Sequence, residues 1–159
     1  MHDLTALRAR SEPIEEYIAT PSGATEAFTR RLLEYALDPI VTEKLKAYAG
    51  MAHILVFSAE WCKDCRKNVP VLKLIQDATG IQVRVLGHIM RDAKNPNPRT
   101  PDEKWKIPPS PPEVKEFNAF NIPYIAVLNA HEEELGAVIE NPPGDKTLEA
   151  ALLEILEAA

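Results

Sequence analysis

Apolar residues change their period several times along the chain, and each change marks an element. Ala52-His53-Ile54-Leu55-Val56-Phe57 is almost unbroken in its apolar character and of strand length. Such a run predicts a strand covered on both faces in a parallel or mixed sheet. After it, Val69, Leu72, Ile75 and Ala78 recur at helical spacing and Gly80 supplies a C-terminal stop, so a helix is predicted from Cys62 to about Ala78. Gln82 to Gly87 reads as a second strand, which makes strand, helix and strand a right-handed crossover. Tyr124 to Leu128 and Leu135 to Ile139 flank the turn at Asn129-Ala130-His131-Glu132 and predict a hairpin. From Asp145 to Ala158 the chain closes as an amphipathic helix with Leu148, Leu152, Ile155 and Leu156 on its buried side.

The first fifty residues are helical by the same reading. Leu4, Leu7, Ile14, Tyr17 and Ile18 predict a short helix, with Ser11-Glu12-Pro13 as an N-cap and first-turn proline. Phe28, Leu32, Leu33, Tyr35 and Leu37 form a second stripe that stops or kinks at Asp38-Pro39, and Ile40, Leu45 and Tyr48 continue into a helix ending near Gly50. Between Arg91 and Pro112 the pattern disappears. Prolines at 96, 98, 101, 108, 109, 111 and 112 remove backbone donors and fix φ, which predicts an irregular surface loop with one helical turn around Asp102 to Trp105. Trp105 is the loop's best candidate for a substrate or subunit contact. A short helix is expected from Pro112 to Phe117, ending by Asn121.

Composition narrows the class. A chain of 159 residues with 45% hydrophobic residues suffices for one domain with a real core. Its net charge of −6, with basic residues scattered along the sequence, argues against a nucleic-acid or anionic-membrane surface. The acidic run Glu132-Glu133-Glu134 reads as a solvated turn. No stretch reaches the length of about 20 apolar residues that a membrane span needs. Met1-His2-Asp3-Leu4-Thr5 lacks the basic flank and apolar core of a secretory signal, so a cytoplasmic location is expected. In that compartment thiols stay reduced, and a Cys-x-x-Cys pair is more often catalytic or metal-binding than structural.

Both cysteines, Cys62 and Cys65, lie in Phe57-Ser58-Ala59-Glu60-Trp61-Cys62-Lys63-Asp64-Cys65-Arg66-Lys67-Asn68-Val69-Pro70, where the strand runs into the helix. At this turn the first sulfur meets the positive end of the helix dipole, which favours thiolate at Cys62. Cys62 is expected to be exposed and Cys65, one turn in, shielded. His2, His53, His88 and His131 do not pair with the cysteines in a four-ligand pattern, so no metal is expected within one chain. A metal shared between two subunits stays open as a third, weaker reading.

Ala59-Glu60-Trp61-Cys62, Pro70 placed five residues beyond Cys65, and the later Ile122-Pro123 together resemble thioredoxins. The Trp-Cys-x-Asp-Cys form, with Asn68-Val69-Pro70 and Arg91-Asp92, is more similar to a bacterial and archaeal thioredoxin-like family; the resemblance covers roughly residues 40–158. It implies a single α/β domain of thioredoxin-like fold, a central mixed sheet of about four strands flanked by helices. Residues 1–39 would be an N-terminal helical extension and 40–159 the core, with the Pro-rich loop at about 91–112.

The implied function is thiol-disulfide oxidoreductase, with Cys62 attacking a substrate disulfide and Cys65 resolving the mixed disulfide. A disulfide-containing protein or small thiol substrate and an upstream reductant are the implied partners; the redox-active Cys62-Cys65 disulfide takes the place of a cofactor. Pro123 is expected cis and facing the thiols, with the backbone of Ile122 available to an extended substrate. Trp61 either shields the disulfide and touches substrate or simply packs. Glu60, Lys63 and Asp64 are tuning residues, Lys63 favouring thiolate and Asp64 opposing it. Thioredoxins place a buried Asp six residues before the first cysteine, and here that position is Val56. Either Glu60, the Asp64 carboxylate, His88 or water takes its proton-handling role, or proton transfer is slower. The rival reading is a redox-sensing or adaptor module that binds a protein partner without turnover.

Overall fold

A computed structural model describes residues 9–105 and 113–159. Prolines 108, 109, 111 and 112 lie outside the described residues. The elements, in order, are β1 (Glu12–Pro13), α1 (Ile14–Ala19), α2 (Thr25–Glu34), α3 (Pro39–Leu45), β2 (Ala52–Phe57), α4 (Lys63–Thr79), β3 (Gln82–Leu86), α5 (Pro101–Lys104), α6 (Glu113–Glu116), β4 (Tyr124–Asn129), β5 (Glu134–Ile139) and α7 (Leu148–Ala158). The strands form one mixed sheet in the order β1-β3-β2-β4-β5, flanked by helices.

β2 sits at the centre, parallel to β3 and antiparallel to β4. Its continuous apolar character follows from that place: every residue but His53 is buried. The hairpin of β4 and β5 forms as its turn residues predict, with a register shift at Val127/Leu128. Gly80 ends α4 in the left-handed region at φ 83°, a conformation that favours glycine.

The fifth strand was not expected. β1 is two residues long and pairs antiparallel to β3, Glu12 opposite Val85 and Pro13 opposite Arg84. Ser11 is consequently not a helix cap. Its hydroxyl and carbonyl oxygens each accept from the Arg84 guanidinium at 2.7 Å, and α1 begins only at Ile14. Proline is tolerated there because β1 is an edge strand.

The N-terminal helices share the core of the sheet. Ile14 and Phe28 are almost fully buried and Tyr17 nearly so. The apolar stripe expected on α2 is narrower than predicted, since Phe28 is buried but Leu33 is exposed. Asp38 caps α3 by accepting from the amides of Ile40 and Val41, with Pro39 in the first turn. The last helix begins at Leu148, three residues later than predicted, because the Thr147 hydroxyl accepts from the amide of Ala150 and caps it. Glu149, fully buried, ties this helix to the N-terminal segment by accepting from the Tyr35 hydroxyl at 2.6 Å and the Asp38 amide at 2.8 Å. A buried carboxylate without such donors would be strongly disfavoured.

Candidate active site

The chain leaves the central strand at Phe57, turns through Ser58 to Trp61, and enters α4 with Cys62 as its N-cap. The Cys62 sulfur accepts from the amide of Cys65 at 3.2 Å, as a capping oxygen would. Its thiol is held below the ordinary thiol range, chiefly because the Cys65 S–H donates to it. Backbone amides of Cys65 and Asp64 act in the same direction, while burial and the Asp64 carboxylate oppose them. Across the site, the Cys62 thiol lies 3.7 Å from the carbonyl oxygen of Ile122, whose bond to Pro123 is cis.

Cys65 has the opposite setting. Fully buried, its thiol is pushed well above the ordinary range by loss of water, by donating to Cys62 and by the nearby Cys62 charge. The amide of Ala59 and the hydroxyl of Ser58 oppose this by hydrogen-bonding the sulfur. Ser58, also fully buried, continues to the Tyr17 hydroxyl at 2.9 Å. Tyr17 is held in turn between Phe28 and His88, with ring centroids 5.8 and 6.0 Å away. A Cβ at Gly87 would come within 2.5 Å of the Tyr17 ring, so only glycine admits the tyrosine at this depth.

This Ser58–Tyr17 link is what the sequence reading missed. Val56 is fully buried and apolar, and Glu60, Asp64 and His88 are not the side chains that contact the Cys65 sulfur; Ser58 is. Glu60 instead pairs with His88, Oε1 to Nδ1 at 2.7 Å, and its backbone carbonyl accepts from Arg66. One signal was available: Ser58 falls two residues after Val56, and side chains two apart along a strand share a face.

Three further expectations change. Cys62 is not exposed but 7% accessible. Trp105 is buried, and its indole N–H donates to the carbonyl of Ala119 at 2.9 Å, so it presents no surface to a substrate. Trp61, 49% exposed, is the accessible aromatic; it donates to the Ile89 carbonyl and rests 6.1 Å from the Trp105 ring. Finally, the basic residues are not all scattered, because packing of α2 against α4 gathers Arg30, Arg31, Lys63, Arg66 and Lys67 around a groove beside Trp61.

Asn68 locks the other side of α4, its amide donating to the Glu140 carbonyl at 2.9 Å and to the Asn141 side chain at 3.0 Å. Lys63 and Asp64 occupy the first turn of the helix. Among the described residues no three His, Cys, Asp or Glu side chains converge as metal ligands, and no helix is long and apolar enough to cross a membrane.

A mixed sheet whose central parallel strand delivers a Cys-x-x-Cys turn onto a helix, opposite a cis-proline, defines a thioredoxin-like fold. Over residues 11–108 the sequence matches the model of the family described as Thioredoxin, and the chain belongs to that family. The match includes α1, α2 and α3. Two solved structures share the fold, each at 19% identity with 99% of both chains covered. One is an HIV epitope-scaffold protein, with a TM-score of 0.72; the other is a protein of unknown function from Pseudomonas aeruginosa, with a TM-score of 0.70. No curated protein matches the sequence.

Proposed function

We propose that the protein is a thiol-disulfide oxidoreductase in which Cys62 attacks and Cys65 resolves. The observation that carries this reading is the asymmetry of the pair: one sulfur caps a helix and is stabilised as thiolate, while the other is buried and held as thiol.

The chemistry runs in two displacements. The Cys62 thiolate forms a bond to one substrate sulfur as the substrate S–S bond breaks, and the departing thiolate takes the electron pair. Cys65 then loses its proton and attacks the Cys62 sulfur, closing the Cys62–Cys65 disulfide and releasing the second substrate thiolate. Two protons complete the substrate thiols, and an upstream reductant restores the dithiol. Cys65 cannot leave its proton directly in water because it is fully buried. Ser58 and Tyr17 offer a hydroxyl path, and the hydroxyl of Ser58 stabilises the Cys65 thiolate as it forms. Ionisation of Cys62 also releases the Ile122 carbonyl from its S–H contact, freeing that oxygen for a substrate backbone N–H.

The test is reduction of insulin disulfides, with a reversible dithiol titration on the same sample. Cys62→Ser should abolish both; an unchanged rate in that variant overturns the proposal. Cys65→Ser should accumulate mixed disulfides on Cys62.

A further inference from the structure

The groove beside Trp61 departs from the rest of this acidic molecule. Its volume is about 320 Å³, and it is lined by two facing helical surfaces. On α2 the lining residues are Ala27, Arg30, Arg31 and Glu34, a spacing of three, four and seven that defines one helix face. On α4 they are Lys63, Arg66 and Lys67, at spacings of three and four. Five cations and one carboxylate therefore line one groove of a chain whose net charge is −6. Trp61 also lines the groove, and Trp61 and Lys63 flank Cys62 directly in the sequence.

The arginines are held in position. Arg31 donates through Nε to the Lys67 carbonyl at 3.0 Å and stacks over Tyr35, and Arg66 donates through Nε to the Glu60 carbonyl at 2.6 Å. Those bonds spend Nε and leave the terminal nitrogens, which form a fork suited to a carboxylate. Negative charge nearby comes from Glu34 in the groove, from Glu26, which pairs with Arg30 at 2.8 Å, and from Asp64 in the first turn of α4. The cations outnumber these groups.

We infer that this groove selects the substrate: the preferred disulfide carries carboxylates close to the sulfur that Cys62 attacks, and they seat between α2 and α4. The inference rests on the oxidoreductase reading and adds the substrate class to it. Attack follows the steps given above, with one S–S bond broken, one formed, and the electron pair leaving on a carboxylate-bearing thiolate. Paired faces of like charge focus the field and raise the local concentration of an anionic substrate, an effect on the order of 10- to 1,000-fold on encounter rates that falls with ionic strength.

The test compares single-turnover attack by the reduced protein on a dianionic aromatic disulfide, 5,5′-dithiobis(2-nitrobenzoate), and an uncharged one, 4,4′-dithiodipyridine. The readout is the ratio of the two rate constants. In Arg30→Gln/Lys67→Gln this ratio should fall roughly tenfold at low salt. Raising the salt to about 0.5 M should bring the unsubstituted protein to the same ratio, since screening then acts within a few ångströms. Lys44→Gln/Lys115→Gln, which changes net charge equally outside the groove, should leave it within twofold. A second arm uses disulfide-linked peptides with Glu or Gln beside the cysteine. Preference for Glu there but not for the aromatic dianion supports an extended acidic polypeptide, and preference in both supports carboxylates next to the sulfur as sufficient. An unchanged ratio in the groove variant with no Glu preference, or an equal fall in the control pair, overturns the inference. The oxidoreductase reading fails separately, through attack on the uncharged probe that survives Cys62→Ser.

Discussion

Cys62 and Cys65 stand three residues apart on one helical turn, and their surroundings drive them in opposite directions. Cys62 collects donors: an S–H, two backbone amides and the helix N-terminus all favour its charge. Cys65 lies beneath it without water, with one amide and one serine hydroxyl opposing burial. The difference teaches that the sequence spacing alone does not divide the labour of a dithiol. What divides it is the immediate surroundings: both sulfurs are buried, but one caps the helix and collects donors, while the other lies one turn further in beside Ser58.

The comparison is broken most severely by removing the donor that couples the two sulfurs. In Cys65→Ala the Cys62 thiolate loses the S–H donor that does most to lower its pKa, and hydrogen bonds to charged groups contribute about 1.5–3 kcal/mol. Alkylation of Cys62 by iodoacetamide near pH 6 should slow by about tenfold or more, with the pH profile displaced upward. Unaltered alkylation would show that the amides alone hold the thiolate.

Ser58→Ala attacks the other side. It leaves the Tyr17 hydroxyl buried without its partner and should cost about 1–3 kcal/mol in urea unfolding. Attack by Cys62 should persist in this variant while closure of the Cys62–Cys65 disulfide slows, a split that stopped-flow separation of the two steps resolves. Tyr17→Phe should produce the same split in weaker form. Gly87→Ala tests the placement of Tyr17 itself: the Cβ meets the ring at 2.5 Å, and the overpacking should destabilise by about 1–3 kcal/mol.

The smallest effect is the most diagnostic of opposed shifts. Unfolded thiols titrate near pH 8.5. Just below that pH, native Cys62 holds its proton less tightly than unfolded Cys62, so the stability of the reduced protein rises as pH climbs toward about 8.5. Above it, native Cys65 keeps a proton that the unfolded chain gives up, so stability falls. Above about pH 10 the buried Tyr17, also raised, adds to the fall. Urea midpoints should trace a maximum near the ordinary thiol pKa; Cys62→Ser should flatten the rising limb and Cys65→Ser the first part of the falling one.

Much of the frame was legible because burial on both faces writes a continuous signal. Ala52 to Phe57 reads as a central strand from its apolar run alone, and Gly80 marks the end of α4 because the left-handed turn wants glycine. β1 was not legible. Two residues carry no period, and a proline argues for an edge or no strand at all. Tyr17 looked like one more apolar position of a short helix; its hydroxyl acquires meaning only when the fold brings it to Ser58, 41 residues away. The cation groove was hidden for the same reason, since Arg30 and Lys67 are distant in sequence and meet only through packing of α2 on α4. Trp105 misled because its proline-rich neighbourhood reads as surface, whereas the ring turns inward to the Ala119 carbonyl.

The two tryptophans of the chain are Trp61 and Trp105, and their rings lie 6.1 Å apart in the same wall of the molecule. Every photon of indole emission from this protein therefore originates within one small neighbourhood of the dithiol. One emitter is half in solvent and the other is sealed away, so the pair samples two different polarities without any added label. The molecule thus carries its own optical gauge, and closure of a disulfide at Cys62, the residue bonded to Trp61, is an event that the gauge is placed to register in real time.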